Sequence, residues 1–548
     1  INDIIYIMQI KEYILWLWKT TKGVRATMAC NTIFGILHVG TSIFFIWTSK
    51  HLIDIATGKS EGPFVLFVCI IVVCVVLQQL LSAVIKRQES LTETKLANRL
   101  RHSLFIHIMK GPLTSSENIH TGDIINRLEK DVNIVANLLS HVIPSGCVTS
   151  IRMFAAFIFL LSLDIRLAGI ILLIMPVTLL SSKRHIHKMR KLTENIRITD
   201  SHIQIYLQDN LQHRTLISAL SATNLASQRL FSLQNILYRQ IKCRTDFYIF
   251  SRTMVQSGFA AGHTTAFLWG VFCLWQGTVT FGTVTAFIQL ANQVQQPIVK
   301  LGNHIMAFIH TFTSVERLNG LATLKTEKQD TPIKLGNMPG IRLENVYFSY
   351  PNDDRNIIEN FSHNFIPGSL TAILGKSGTG KSTLLHLLAA LLIPQKGNII
   401  LYDRKQEAVA SPQTRCNIVY VPQGNTLLNG TIRDNLLLGK PDASDEELHD
   451  ALIVSAADFV YELPQGLNTP CRELGTGLSE GQAQRIAIAR GLLHTGGILL
   501  LDEPTASLDK DTERILLDRL TESVLDKTII IVTHKQSTAQ FCTHIVNI

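Results

Sequence analysis

The sequence predicts a multi-pass α-helical membrane domain followed by an α/β domain. The chain has 548 residues, more than a single hydrophobic core usually serves, so at least two domains are expected. Hydrophobic residues make up 46% of the chain and charged residues only 17%, with a mean hydropathy of +0.22, and the apolar excess lies in the first 320 residues. From Ile341 onward, an alternating strand-like segment leads into a strand, a glycine-rich loop and a helix.

Six apolar runs in the first part of the chain predict membrane-spanning helices. Most of them reach the ~17–25 residues that are needed to cross a bilayer core. The fourth run is short, and Arg152 interrupts the third. The predicted spans are residues 28–47, 63–85, 142–163, 167–182, 254–279 and 281–299.

Basic residues lie on one side of these runs and predict the orientation. Lys19, Lys22 and Arg25 precede the first run, whereas Asp164–Arg166 is nearly the whole of one opposite loop. Since cytoplasmic flanks carry the excess of Lys and Arg, both ends of the domain are expected in the cytoplasm, at a plasma (inner) membrane. The net charge of +9 follows from this bias. No basic stripe with interleaved aromatics appears in the sequence, so a nucleic-acid partner is not expected.

Two cytoplasmic connections, residues 86–141 and 183–253, are much longer than a turn requires. Few Gly or Pro residues interrupt them, which predicts helical arms, and an arm of ~25 residues would extend about 40 Å. The helical pattern of each connection is broken near its middle, at Gly111–Asp123 and at Leu207–Leu220. The alternative interpretation is a pair of helical hairpins with no special role. A polar stretch at 324–340 is predicted to be a linker, with the membrane domain at 1–323 and the α/β domain at 341–548.

The segment GKSGTGKST has the spacing of a phosphate-binding loop and stands between a strand and a helix. Its glycines allow the backbone to wrap around phosphates with N–H groups pointing inward, and the helix adds its positive dipole end. Lys381 is predicted to reach the β and γ phosphates, and the Ser382 hydroxyl to ligate Mg²⁺. ATP and Mg²⁺ are therefore the predicted cofactors of a P-loop NTPase domain. The loop residues are Gly375, Lys376, Ser377, Gly378, Thr379, Gly380, Lys381, Ser382 and Thr383.

The segment LLLDEP is predicted to complete this site. An apolar strand, Ile498–Leu501, leads to Asp502, whose carboxylate can hold the Mg²⁺ shell. Glu503 follows on the γ-phosphate side, a suitable place for a base that polarises the attacking water. The alternative is an acidic strand end that caps the next helix.

Between these two segments lies LSEGQ, Leu478–Gln482, which closely resembles the LSGGQ signature of ABC transporter ATPases. The resemblance covers essentially the whole chain, most strongly residues 341–535, and implies an exporter half-transporter with one ATPase domain of ABC type. The two helical arms resemble the intracellular loops of ABC exporters, whose short coupling helices contact the ATPase domain. Glu473 and Gly475 match the short loop that exporters place before the signature.

The resemblance also implies roles for individual residues. Tyr350 matches the aromatic position that stacks on adenine, and Gln423 matches the Q-loop, which senses Mg²⁺. His534 matches the switch histidine that hydrogen-bonds the γ-phosphate, beside Glu503 as the catalytic residue. The remaining implied ATP contacts are Ser479, Gly481 and Gln482 of the signature and Asp509 of the D-loop.

Three departures from the family pattern stand out. Glu480 replaces the first glycine of the signature, Lys535 stands where arginine often follows the switch histidine, and the sequence given ends at Ile548, before the C-terminal tail that the family usually carries. Because the family's composite site combines the phosphate loop of one chain with the signature of another, a dimer is implied, most simply a homodimer. A heterodimer with a degenerate partner, or an ATP-gated regulator or channel, are the alternatives. The substrate is expected to be a lipid, a peptide or a drug-like molecule, taken from or through membrane lipid.

Polar residues within the spans predict a transport path. A stripe at three- and four-residue intervals lies on one face of the sixth span. Polar groups of this kind usually face a bundle interior or water, although helix–helix hydrogen bonding is the alternative. Arg152 near the middle of the third span is predicted to face the cavity and to suit an anionic head group or carboxylate; an interfacial or salt-bridged arginine is its alternative. The stripe consists of Gln289, Asn292, Gln293, Gln296 and Lys300.

Overall fold

Long helices form the first part of the chain, and the described residues of the second part form two larger β-sheets and one two-stranded sheet. Contacts between residues divide the chain into two units, residues 1–103 with 125–320, and residues 104–124 with 321–548. The predicted fold class, a helical membrane domain with an α/β domain, is confirmed. This computed structural model describes residues 12–13, 15–112, 121–327, 331–350, 355–376, 378–471, 477–524 and 526–548, with backbone only at 172–187, 190 and 310.

Six long helices, one short helix and a helical segment at residues 15–20 make up the described part of the helical region. The third long helix contains two π-helical turns, Arg127–Asp131 and Leu138–Val142, and Pro297 lies inside the last. The helices are α1 Arg25–Ala56, α2 Phe64–Met109, α3 Thr121–Leu163, α4 Ile165–Gln212, α5 Arg214–Ala219, α6 Thr223–Trp275 and α7 Phe281–Ala322.

Each of the six predicted spans lies in a different long helix, with one boundary error. The predicted fifth span, 254–279, runs past the end of α6 at Trp275 into a turn that contains Gly277 with a positive φ of 71°. By length and hydropathy, α1, α2 and α3 qualify as membrane spans among the described residues. Helices α6 and α7 are less apolar because polar side chains such as His263 and Gln293 interrupt them. The side chains of most of the predicted fourth span lie outside the described residues.

The core of the helical unit surrounds α7. Phe287 and Leu290 of this helix are fully buried, together with Ile46 of α1 and Leu160 of α3. Small residues allow the closest approach between helices: a Cβ on Gly270 of α6 would lie 2.9 Å from a methyl carbon of Val284. Such small-residue contacts are typical of helices that pack in a membrane.

The predicted coupling segments are covered unequally. Most of Gly111–Asp123 lies outside the described residues. In the second arm, α4 ends at Gln212 and the six-residue α5 follows, with Ser221 in the left-handed region (φ 52°) before α6 begins. The short helix α5 therefore lies within the segment Leu207–Leu220, where the sequence predicted a break in the arm.

The second unit contains an antiparallel sheet and a parallel sheet. The antiparallel sheet has the order β2-β1-β4-β5 and the parallel sheet β11-β3-β10-β9-β6. The linker predicted at 324–340 belongs to this unit and is held there by hydrogen bonds such as that from the Leu335 N–H to the Asn417 amide oxygen, at 2.8 Å. The strands are β1 Gly340–Phe348, β2 Ile358–Phe365, β3 Leu370–Leu374, β4 Lys396–Tyr402, β5 Glu407–Val409, β6 Ile418–Val421, β7 Gly430–Thr431, β8 Pro470–Cys471, β9 Ile498–Asp502, β10 Thr528–Thr533 and β11 His544–Asn547.

The helices of this unit cover the parallel sheet. Because both faces of that sheet are covered, its central strands β9 and β10 are buried at every position and read as continuous apolar runs. The helices are α8 Lys381–Leu388, α9 Ile432–Leu437, α10 Asp445–Val454, α11 Glu480–Leu493, α12 Lys510–Ser523 and α13 Gln536–Ala539, with 3₁₀ turns at Arg415–Asn417, Asp458–Glu462 and Gly466–Asn468.

Candidate active site

The carboxyl ends of four parallel strands bring the predicted catalytic segments together. Parallel strands end at the same edge of a sheet, where ligands of open α/β sheets bind. The glycine loop follows β3, Gln423 follows β6, Glu503 follows β9 and His534 follows β10. Strand order therefore places at one edge four segments that lie far apart in the sequence.

The glycine loop has the backbone of a phosphate cradle. Gly378 and Gly380 have φ values of 85° and 92°, which side-chain-bearing residues rarely adopt. A Cβ on Gly375 would lie 2.8 Å from the Thr379 hydroxyl oxygen. Helix α8 begins at Lys381 as predicted, and the Lys381 Nζ donates to the carbonyl oxygens of Gly375 and Lys376 at 2.8 Å each. The predicted contact Ser377 lies outside the described residues.

Oxygen donors suited to Mg²⁺ meet beside this loop. Asp502 is buried, with 4% of its surface exposed, and it is hydrogen-bonded to the Ser382 hydroxyl. Burial raises the pKa of Asp502 and the charge of Glu503 adds to this rise, whereas the hydrogen bonds with Ser382 and Tyr420 oppose it. Hydroxyl, carboxylate and amide oxygens are the ligands that Mg²⁺ prefers. The set Ser382, Asp502 and Gln423 therefore fits this ion.

Tyr420 is a site residue that the sequence did not reveal. Its hydroxyl lies 3.4 Å from the Asp502 carboxylate and 3.3 Å from Nε2 of His386 on α8. Burial, followed by the negative charge of Asp502, raises the pKa of Tyr420 well above its usual value, so the phenol stays protonated and donates. The only signal in the sequence was a polar hydroxyl inside the apolar strand β6.

Glu503 lies between the two polar residues that the family pattern singled out. Its carboxylate oxygens lie 3.1 Å from Nε2 of Gln423 and 3.3 Å from Nδ1 of His534. Its backbone has φ 46°, an uncommon value for glutamate, and its N–H donates to the Val532 carbonyl at 2.9 Å. Non-glycine residues in this region cost of order 1–3 kcal/mol and cluster at functional sites.

Tyr350 follows the end of β1 and lies beside α8. Its hydroxyl is 3.3 Å from the hydroxyl of Thr383, and its ring packs edge-on against Phe348 with centroids 5.2 Å apart. The ring is therefore close to the phosphate loop, where a stacked adenine is expected.

The signature residues form a second hydrogen-bonded group at the start of α11. Ser479 caps this helix by accepting from the Gln482 N–H at 3.2 Å, and the Gln482 side chain accepts from the Ser479 N–H at 2.8 Å. A Cβ on Gly481 would lie 2.6 Å from the carbonyl oxygen of Ser507, so only glycine permits this approach to the predicted D-loop.

The remaining residues of this region have separate positions. A carboxylate oxygen of Glu480 lies 3.7 Å from the position that a Cβ on Gly424 would occupy, beside the segment that carries Gln423. Asp509 caps α12, accepting from the backbone N–H of Thr512 at 3.0 Å, and these hydrogen bonds lower its pKa. Glu473 and Gly475, which match the short loop before the signature, lie outside the described residues.

A polar pocket lies among the membrane helices, in the helical unit. Its volume is 100 Å³, about that of three water molecules at ~30 Å³ each. It brings Arg152 of α3 together with four of the five stripe residues predicted on α7; Gln289 is half-buried and not part of the lining. The lining residues are Thr149, Arg152, Asn292, Gln293, Gln296, Pro297 and Lys300.

Two side chains of this pocket keep unsatisfied buried atoms. The Arg152 guanidinium lies 3.2 Å from Nδ1 of His38, but its Nε is buried without a partner. The Gln293 amide donates to the Ser42 hydroxyl at 2.8 Å, whereas its carbonyl oxygen has no partner.

Comparison with protein families yields two adjacent matches. Residues 358–506 match the family described as ABC transporter, and residues 28–298 match the ABC transporter transmembrane region. The chain is similar, with 24% identity and a TM-score of 0.79, to the solved structure of a bacterial Atm1-family ABC exporter with ATP bound, over 96% of this chain and 94% of the other. This likeness shows the fold.

Curated relatives include proteins named for toxin translocation and for lipid flipping. The leukotoxin translocation ATP-binding protein LktB of Mannheimia glucosida is 29% identical over 530 residues, which are 95% of this chain and 73% of that protein. The exotoxin translocation ATP-binding protein PaxB of Pasteurella aerogenes is 30% identical over 80% of this chain and 62% of that protein. The ATP-dependent lipid A-core flippase of Photobacterium profundum is 27% identical over 81% and 77%.

Proposed function

The chain belongs to the ABC transporter family, with a helical transmembrane region and an ATPase domain fused in one polypeptide, and we propose that it exports or flips an amphipathic or hydrophobic substrate by alternating access of a dimer. ATP hydrolysis coupled to transport is the activity of this family. The observation that carries the proposal is the position of Glu503 between Gln423 and His534, next to the buried Asp502 and the glycine loop.

The residues at the sheet edge divide the work of hydrolysis. Bound ATP with Mg²⁺ supplies the γ-phosphoryl group and the positive charge that offsets its oxygens. With ATP bound, Lys381 would exchange its two carbonyl partners for phosphate oxygens, and Ser382, Asp502 and Gln423 would hold the metal. The protonated Tyr420 keeps Asp502 oriented through its hydroxyl.

Glu503 and His534 act on the nucleophile and on the γ-phosphate. The Glu503 carboxylate accepts a proton from the attacking water, as a positioned general base. His534 lies at hydrogen-bond distance from this carboxylate and is half exposed, so its ring can turn toward a γ-phosphate oxygen. The left-handed backbone of Glu503 aims its side chain between Gln423 and His534.

The second half of each ATP site comes from another copy of the chain. The chain has one phosphate loop and one signature, and among the described residues these lie in separate hydrogen-bonded groups. A C₂ homodimer supplies two phosphate loops and two signatures. Glu503, His534, Ser479 and Gly481 are all present, so self-pairing builds two complete sites. The Glu480 carboxylate lies near Gly424, in the loop that follows Gln423.

Complementation between two inactive variants tests the dimer. Lys381→Ala removes the phosphate loop lysine and Ser479→Ala removes the signature hydroxyl, and each variant alone should lose ATPase activity. A coexpressed mixture should recover about a quarter of wild-type activity, because half of randomly paired dimers are mixed and each has one intact site. The heterodimer would be established instead if the mixture recovers no ATPase activity and the wild-type chain becomes active only when a different polypeptide is added.

The polar pocket between α3 and α7 supports a transport path through the helical unit. Arginine and lysine are costly against lipid and mark substrate paths when they lie within membrane helices. Cysteines at Asn292 and Gln296 should react with a polar thiol reagent in the absence of ATP, and Arg152→Ala should abolish substrate stimulation of ATPase activity. Uniform protection of both cysteines would instead favour helix–helix hydrogen bonding.

The proposed cargo classes are lipids, peptides and drug-like molecules, at a plasma (inner) membrane with the ATPase domain in the cytoplasm. The names of the relatives include both toxin translocation and lipid A-core flipping. Purified protein in nanodiscs should show ATPase stimulation by one class and uphill uptake of that class in vesicles. Hydrolysis that changes only passive conductance would identify a gate.

A further inference from the structure

A buried carboxylate on α12 binds the segment that carries His534. Glu513 has 6% of its surface exposed. Its Oε2 lies 2.9 Å from the Lys535 Nζ, and its Oε1 accepts from the hydroxyls of Thr538 at 2.8 Å and Ser537 at 3.0 Å. Burial by itself would raise the pKa of Glu513, but these three hydrogen bonds more than offset it, and the pKa lies below its usual value. An ionised carboxylate thus holds three side-chain donors, all within the four residues 535–538.

Lys535 attaches the same turn to the chain just after Glu503. Its Nζ donates to the carbonyl oxygen of Thr505 at 2.6 Å, and its backbone N–H donates to the Thr533 hydroxyl at 3.0 Å. A buried contact between the hydroxyls of Thr505 and Thr538, at 3.1 Å, joins the two segments again. His534 therefore stands between two neighbours that are both fixed, at a set distance from Glu503.

The carboxylate also connects this turn to the predicted D-loop. Glu513 lies in the first turns of α12, and its backbone N–H donates to the Asp509 carbonyl at 2.9 Å. Two residues before Asp509, the carbonyl of Ser507 packs against Gly481 of the signature. One side chain thus connects the His534 turn with the loop that contacts α11.

We propose that Glu513 and Lys535 are positioning residues for ATP hydrolysis, which hold His534 against Glu503 and transmit its displacement to the loop 506–509. This inference rests on the proposed function, in which Glu503 and His534 act on ATP. Neither residue reaches the reacting atoms, so their effect passes through the position of His534. A misplacement of about 1 Å can cost up to 10²-fold in rate.

Lys527 provides a matched control at the opposite end of the same strand. It precedes β10, as Lys535 follows it, and its Nζ donates to the carbonyl oxygens of His494 at 2.6 Å and Gly496 at 2.8 Å. Lys527→Met therefore removes a half-buried lysine with two backbone acceptors, without touching the Glu513 network. It should lower Tm and leave kcat per folded protein unchanged.

The test compares kcat, KM, Tm and binding of a fluorescent ATP analogue for Lys535→Met, Lys535→Arg, Glu513→Gln and the Lys527 control, all in the full chain. Lys535→Met and Glu513→Gln should lower kcat at least ~10-fold and change nucleotide Kd less than ~3-fold. Arginine can reach both acceptors, so Lys535→Arg should stay within ~3-fold of wild type. The double variant Glu513→Gln with Lys535→Met should lose no more than either alone, since both act through one network.

Three results would overturn the inference. The first is a kcat of Lys535→Met equal to that of the control. The second is a parallel loss of Tm, binding and kcat in both network variants, which shows a merely structural role. The third is additive losses in the double variant. A wild-type protein that binds but never hydrolyses ATP, in the presence of lipid and candidate cargo, would instead remove the proposed function and this inference with it.

Discussion

The two units of this protein treat buried polar atoms differently. In the described residues of the ATPase unit, Asp458 and Gln484 each keep one buried side-chain atom without a hydrogen-bond partner. Asp131 of the helical unit is not counted here, because its carboxylate lies 3.1 Å from the Arg317 guanidinium. The described residues of the helical unit contain more such atoms. They belong to Asn31, Ser60, Gln88, Arg152, Gln240, Gln293 and Gln295.

This difference agrees with the proposed roles of the two units. An unsatisfied buried donor or acceptor costs about 1–3 kcal/mol. Among the described residues, the helical unit therefore carries more of this cost than the ATPase unit. In the proposed alternating access, the two packings of the helical unit have to differ only slightly in free energy. The predictions below sharpen or break this comparison.

The largest effect is expected in the ATPase unit, from replacing Glu503, the proposed general base. Glu503→Gln should leave ATP binding intact and reduce turnover by ~10²–10⁴-fold, because an amide cannot take the proton of the attacking water. Binding of a fluorescent ATP analogue and release of phosphate measure the two quantities separately. Turnover within threefold of wild type would remove Glu503 from this role.

Matched amide replacements test the comparison itself. Asn435 is buried and makes three backbone hydrogen bonds, to Leu428 and Thr431, at 2.8–3.0 Å. Asn435→Leu should destabilise the ATPase unit by about 3 kcal/mol, because three backbone groups of Leu428 and Thr431 lose their amide partner. Gln295→Leu in the helical unit should change stability by no more than about 1 kcal/mol, since its carbonyl oxygen has no partner to lose.

Two native cysteines report on these units separately. Cys471 is buried in the ATPase unit and Cys273 in the helical unit. Their rates of alkylation in increasing denaturant give the opening free energy of each unit. Equal losses for the two replacements would contradict the comparison.

A smaller loss of activity is expected from Gly481→Ala. The new methyl group would lie 2.6 Å from the backbone oxygen of Ser507, so α11 or the D-loop must shift. We expect ATPase activity to fall by about 10-fold with little change in ATP binding to the phosphate loop. Gly302→Ala is the control, because a Cβ there meets open space. Equal activity of the two variants would contradict the close contact.

The smallest expected effect depends on pH. The folded-state pKa of Glu513 lies below its ordinary value of 4.5, so its hydrogen bonds stabilise the ATPase unit fully above that value. This stability is lost as pH falls through the lower, folded-state pKa. The stability difference between wild type and Glu513→Gln should therefore be constant from pH 7 to pH 5 and shrink below about pH 4.5. A difference that grows on acidification would reverse the sign of the shift.

Local patterns in the sequence predicted most of the helices and strands, and they selected most of the residues of the candidate site. Continuous apolar runs identify strands such as β9 and β10 because both of their faces are buried, and glycine spacing identifies the phosphate loop because only glycine adopts its backbone angles. The error at the end of α6 arose because Gly277 ends the helix while apolar residues continue beyond it. Apolar content marks depth in the membrane, not the last helical residue.

Sequence by itself thus determined the fold class, the phosphate loop and the acidic pair Asp502 and Glu503, since each depends on residues adjacent in the chain. Only the tertiary structure decided the position of Tyr420 against Asp502, the convergence of Arg152 with the α7 stripe, and the contacts of Glu513 with Lys535. These contacts join segments whose distance in space is set by strand order and helix packing. No periodicity along the chain encodes that distance.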